Sequence, residues 1–243
     1  MARLILVHGA FHNASCWDAA KAKLEALGHS VEAVDLPSHG SDMTPIETVV
    51  LQTYADKVVA QANSRPEPPV LVGHSMGGMV VTQAADDILA AGGKLEQVIY
   101  VAAFLPRNGQ SLVDLAGMPE GAGDMVQANV VVDGEPPIGT MPFEKAIEAF
   151  YGECERSVAE AAAKSLDPQP ILAFVMPAQI QDDREITRRY LITTRDKALP
   201  TPLQRKMSKA TACVDIAEID SDHSPFLSHT DEFVSIVDRF ARA

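Results

Sequence analysis

The sequence predicts an α/β fold: a doubly wound, mainly parallel sheet of about six strands carrying an inserted lid. Three observations lead there. Short apolar runs alternate with segments of helical period. Several of those runs are apolar without a break, as parallel strands covered on both faces must be. A stretch over residues 106–185, dense in Gly and Pro as far as Pro142, then interrupts the alternation before it resumes.

Leu4–Val7 opens the series of strands, followed by Ser30–Val34, Val70–Val72, Val98–Ala102, Tyr190–Ile192 and Val214–Ile219. After the first, Trp17, Ala20, Leu24 and Leu27 recur at helical spacing, and Gly28 stops the helix. A helix over Ile46–Ala62 runs into the proline-rich loop Asn63–Pro69, and another over Gly77–Ala91 ends at Gly92-Gly93. The last, Thr230–Ala243, carries Phe233, Ile236, Val237 and Phe240 on one stripe. Strand and helix in strict alternation imply crossovers that coat both faces of one sheet.

Residues 106–185 read differently. Val130–Val132 runs into Asp133-Gly134, a hairpin-turn pair. Phe143–Ser165 reads as one helix with Ile147, Phe150, Tyr151, Cys154 and Val158 on a face. A segment this long is not a plain loop. It is expected to lie as a lid over the end of a core formed by residues 1–105 and 186–243. Met125, Phe150 and Phe174 of the lid, with Phe11, His12 and Phe104 of the core, are the expected substrate-binding residues.

Composition narrows the function. The chain has 243 residues, 47% of them hydrophobic, and 33 acids against 20 bases leave a net charge of −13. A chain of this size needs no disulfide or metal staple. The acidic excess argues against nucleic acid, which needs clustered Lys and Arg, and against anionic membrane surfaces. Cys16, Cys154 and Cys213 form no Cys-x-x-Cys pair, so neither structural zinc nor a dithiol is indicated. The run Leu4–Val7 is shorter than a signal-peptide core, and no window approaches the ~20 apolar residues of a membrane span. A cytoplasmic protein is expected, with the oligomeric state open between monomer and homodimer.

The stretch Val70-Leu71-Val72-Gly73-His74-Ser75-Met76-Gly77-Gly78 carries the chemistry. A serine hydroxyl is a weak nucleophile and must project from a sharp strand-to-helix turn within reach of a base. Gly-x-Ser-x-Gly alone arises by chance in roughly one chain of this length in fifteen. Here a buried strand precedes it and a helix follows, which makes Ser75 the candidate nucleophile. The N–H of Met76, opening the helix, then points where negative charge develops on an attacked carbonyl. A second such donor is expected in the loop after the first strand, Val7-His8-Gly9-Ala10-Phe11, with Ala10 preferred and Phe11 the alternative. His8 and His12 have the i, i+4 spacing of a metal pair. Gly9 between them and the want of a third ligand point to hydrogen-bonding roles instead.

The base and its acid should follow Ser75 in the order carboxylate, then histidine. His223 lies directly beyond the last strand, whereas His229 falls at the start of the final helix. Asp196, just past the preceding strand, is placed to orient an imidazole, and Asp220 and Asp222 are the fallback acids.

These residues resemble an α/β-hydrolase of the plant methylesterase and hydroxynitrile lyase group, which has bacterial esterase members. The resemblance rests on Leu6-Val7-His8-Gly9-Ala10-x-His12 with Trp17, Leu24 to His29, Val72 to Met79, and Ala102-Ala103-Phe104-Leu105-Pro106. It continues through Thr194-Arg195-Asp196-Lys197 and Asp222-His223, whereas the lid matches poorly. It implies an α/β-hydrolase fold, a triad on Ser75, Asp196 and His223, and no cofactor. The lyases typically carry a lysine after the triad histidine and a threonine in the loop after the first strand. Ser224 and Ala10 stand there, the esterase-like choices. The expectation is therefore a serine carboxylesterase with a small-molecule ester as its partner. A cyanohydrin-cleaving lyase or a ligand receptor on the same fold are the alternatives.

Overall fold

The computed structural model describes residues 1–243. In chain order, β1 (Arg3–Val7), α1 (Asp18–Ala26), β2 (Ser30–Val34), α2 (Leu51–Ala62), β3 (Val70–His74), α3 (Gly77–Ala90) and β4 (Gln97–Val101) build the first half. An insert follows: α4 (Leu112–Ala116), α5 (Met125–Asn129), β5 (Val131–Asp133), β6 (Ile138–Thr140), α6 (Phe143–Phe150), α7 (Arg156–Lys164), β7 (Gln169–Pro170) and α8 (Leu172–Val175). The chain then returns through β8 (Arg188–Thr193), α9 (Thr201–Ala210), β9 (Asp215–Ile219), α10 (Pro225–Ser228) and α11 (Thr230–Arg242).

Six strands form one sheet in the order β2-β1-β3-β4-β8-β9, every neighbouring pair parallel. Strand side chains alternate between faces. Ile5, Val7, Leu71, Val98 and Tyr100 face α2 and α3, while Leu4, Leu6, Val70, Val72 and Ile99 face α1 and α11 through Trp17, Leu24, Phe233 and Phe240. Both faces are buried, which is why β1, β3 and β4 read as unbroken apolar runs. The insert adds a small antiparallel sheet, β5-β6-β7. No helix is long and apolar enough to cross a membrane.

Several helices differ from expectation, and three of the differences have a clear local cause. The segment predicted as one helix over Ile46–Ala62 is a short 3-10 turn, Ile46–Thr48, then extended Val49 and Val50, then α2. Val49 is fully buried in the core, and two successive β-branched residues favour extended backbone. The segment Phe143–Ser165 breaks into α6 and α7 because Gly152 follows Tyr151 and the Glu153 N–H bonds Asp222 instead of continuing the helix. Helix α9 escaped the sequence reading because its apolar stripe is only Leu203 and Met207.

Topology positions the site. The chain leaves β1 for one side of the sheet and resumes at β3 on the other, so the loops after β1 and β3 diverge from adjacent strand ends. In open α/β sheets ligands bind at such a crevice. The register Val7↔Gly73 brings residues 8–11 beside residues 74–76.

Leu6→Ala, on a central strand between two buried neighbours, should lower unfolding stability by about 2–5 kcal/mol. Val214→Ala, at a residue 66% exposed, should change it by less than ~0.5 kcal/mol. Urea denaturation with an unchanged slope checks both.

Candidate active site

At Ser75 the strand turns into α3 with φ at +53°, a left-handed conformation costing an L-residue roughly 1–2 kcal/mol. Neighbouring elements hold it there. Ser75 N donates to Val101 O at 3.3 Å, and Ser75 O accepts from Gly78 N at 3.0 Å and Phe104 N at 3.1 Å. The flanking glycines are a steric requirement. A Cβ on Gly73 would sit 2.6 Å from the Gly77 carbonyl oxygen, and one on Gly77 2.7 Å from the carbonyl oxygens of Val7 and His8. The Met76 N–H, at the start of α3, has no protein acceptor.

The loop after β1 is held at almost every polar atom. A carbonyl can only accept, so His8 Nδ1–H donates to Gly9 O at 2.9 Å, leaving its bare Nε2 to accept from Leu36 N at 3.1 Å. His12 Nδ1–H donates to Ala10 O at 2.7 Å, and its Nε2 accepts from the Tyr151 hydroxyl at 2.8 Å. The histidines thus serve as hydrogen-bonding posts, and no His, Cys, Asp or Glu cluster is arranged to hold a metal. Phe11 is also left-handed, with φ at +66°. Its N–H donates to Gln169 Oε1 at 3.1 Å, and its carbonyl accepts from Asp167 N at 2.6 Å. The Gly9 carbonyl accepts from His8 Nδ1 and His12 N. In a trans peptide the N–H points away from the carbonyl, so the Ala10 N–H faces the opposite way, and it has no protein acceptor. Of the two expected donors, Phe11 is occupied and Ala10 is free.

His223 Nδ1 donates to Asp196 Oδ2 at 2.8 Å, with both side chains buried. Asp196 also accepts from Ala198 N, Leu199 N, the Thr193 hydroxyl and Gln204 Nε2, all within 2.8–2.9 Å. These five donors hold the carboxylate in place, and its bond to Nδ1–H leaves the imidazole with Nε2 bare. That Nε2 is buried and has no hydrogen-bond partner. The fallback acids point elsewhere. Asp220 pairs with Arg195 and Thr194, and Asp222 accepts from Ser224 N, Ser228 Oγ and Glu153 N. His229 lies 3.8 Å from Glu153. His74, next to Ser75, donates through Nε2 to the His223 carbonyl at 2.9 Å, tying the turn to the histidine loop.

A cavity of about 260 Å³ opens at Ser75, lined by seventeen residues of which fourteen are hydrophobic. It lies just below the usual ligand-site range of about 300–1,000 Å³, so it suits small groups. Ala10, Phe11, Met76, Phe104, Phe150 and Phe174 line it. Two expected residues do not. His12 turns away to Tyr151 and lines a separate cleft, and Met125 packs among the insert's own apolar residues Ala146, Ile147 and Phe150.

Residues 4–236 match the alpha/beta hydrolase family. The chain belongs to that family. Methylesterase 7 of Arabidopsis thaliana is 30% identical, across 98% of this chain and 97% of that protein. The alpha/beta hydrolase nvfD of Aspergillus novofumigatus is 27% identical, across 96% and 94%. Among solved structures, a pyrethroid hydrolase from Sphingobium faniae superposes with a TM-score of 0.89 at 25% identity, covering 100% of this chain and 98% of its own.

In this alpha/beta hydrolase, sequence reasoning missed the residues that hold the candidate site from a distance. Gln169 and Asp167 grip Phe11, Gln204 supports Asp196, and Asp124 lines the cavity. Nothing local marks them, since Gln169 and Phe11 stand 158 residues apart.

Burial lowers His8 to about 3 and His12 to about 4, with neighbouring histidines adding to it. Burial and then His223 push His74 well below the imidazole range, and burial lowers His39. His8, His12 and His74 are neutral at pH 5 when folded, but each binds a proton near pH 6.5 when unfolded. Stability is therefore full above pH 6.5 and lost as pH falls toward 4. Near pH 5, unfolding should take up about three protons. Urea midpoints measured between pH 7 and 5 check this, and a flat profile would refute it.

Proposed function

We propose that this chain is a serine carboxylesterase that hydrolyses small-to-medium neutral esters, methyl or aryl, through an acyl-enzyme. Ser75 attacks the ester carbonyl while His223 Nε2 takes its proton, and Asp196 orients and stabilises the imidazolium. The N–H groups of Met76 and Ala10 receive the developing oxyanion, each worth on the order of 3 kcal/mol. His223 then protonates the departing alcohol, and water activated by the same nitrogen releases the acid. The observation that carries this reading is the buried His223–Asp196 pair, whose bare Nε2 has no partner. The left-handed serine turn beside it supports the reading, as do relatives named methylesterase and pyrethroid hydrolase. Ser224, buried next in sequence to His223, carries no charge, so that position offers no cation to a cyanide leaving group.

Ser75→Ala should lower kcat/KM for 4-nitrophenyl acetate by at least ~10⁴-fold and leave the Tm within about 2 °C. Wild-type-like turnover in that variant would falsify the assignment. Cyanide release from mandelonitrile without acylation of Ser75 would point to the lyase instead.

Gln169 acts at one remove, by fixing the Phe11 peptide and so the aim of the Ala10 N–H. Gln169→Leu should cut kcat about tenfold with KM nearly constant, the mark of a contact made mainly in the transition state.

A further inference from the structure

We infer that Asp124 sets the charge preference of the cavity: it rejects esters bearing an anionic group and favours neutral esters that present an O–H or N–H donor. This rests on the proposed role of Ser75 and names the substrate class for that site.

Asp124 is 7% exposed and lines the same cavity as Ser75. It precedes α5, where Oδ1 accepts from Val126 N at 2.7 Å and Gln127 N at 3.0 Å, and Oδ2 accepts from Gln127 Nε2 at 3.0 Å. All three partners are neutral amides, and no Lys, Arg or His forms an ion pair with it. No cation is paired with the carboxylate, and with about four acceptor positions it retains one on Oδ2.

The rest of the cavity does nothing to offset that charge. Its lining includes no Lys, Arg or His. Gln127, the only other polar residue there besides Ser75, spends its amide hydrogens on Asp124 and on the Ala116 carbonyl. Apolar walls keep the local dielectric low, so a second anion in this space meets strong repulsion. A hydroxyl or amine on the substrate meets the open acceptor. The same field drives out the carboxylate product after deacylation. Burial raises the Asp124 carboxyl above the usual carboxylate range, opposed by its amide donors and by His223.

Asp124→Asn separates charge from fold, because asparagine caps a helix as well as aspartate. Asp124→Ser serves as a second cap-competent variant. The measurement is kcat/KM for mono(4-nitrophenyl) succinate against 4-nitrophenyl valerate, with labelling of Ser75 by a fluorophosphonate recorded for each enzyme. In both variants the anionic-to-neutral ratio should rise about tenfold over wild type, and inhibition by butyrate should tighten. An unchanged ratio in active, labelled variants overturns this inference and leaves the esterase reading intact. Wild-type enzyme that hydrolyses neither ester and leaves Ser75 unlabelled overturns that reading, and this inference with it.

Discussion

Between residues 73 and 77 the chain passes from a central parallel strand into a helix within one left-handed residue, while the end of β1 presses against it from the side. No Cβ fits at Gly73 or Gly77, because backbone carbonyls of α3 and β1 occupy the space. Most of the site follows from that contact. It sets Ser75 above the sheet, places the Met76 N–H at the start of α3, and brings the β1 loop with its free Ala10 N–H alongside. It also places His74 where its ring can hold the His223 carbonyl, so the last third of the chain is registered against the turn.

Around this contact lies an unusual amount of buried imidazole. His8, His12, His39, His74 and His223 are all buried, and ring pairs such as His74–His223 and His8–His39 stand 4.5 and 5.2 Å apart. A group of cations that close would be untenable away from water, so His8, His12 and His74 are kept neutral and act as shaped donor–acceptor pairs. Among these five, only His223 has a carboxylate hydrogen-bonded to its ring. Three neutral rings near one carboxylate-backed ring is a division of labour set by burial and by which carbonyls each ring meets.

The sheet was legible in the sequence because its central strands are apolar on both faces. Their polar ends were not, and Arg188, Thr193 and His74 extend β8 and β3 beyond the apolar runs. Ser75, Asp196 and His223 stood out as candidates because each lies within four residues of the end of a strand, in chain order, and the hydrogen bond that joins any two of them is His223–Asp196. The choice between Ala10 and Phe11 was not legible, since it turns on Gln169 in the insert. Helix boundaries in residues 106–185 failed for a related reason. Tyr151 and Glu153 answer to His12 and Asp222, and tertiary partners outweigh local periodicity there.

The grip of Asp167 and Gln169 on Phe11 has a mechanical consequence. Two hydrogen bonds of 2.6 and 3.1 Å join β7 and its approach to the loop that carries the Ala10 N–H, and a displacement of about 1 Å is enough to break either. The insert therefore cannot swing as a hinged flap at this end while the loop keeps its shape. Movement that widens the cavity then falls to the far side, around α4, α5 and the exposed β5 strand, whose residues line it, while β7 stays tied to the loop.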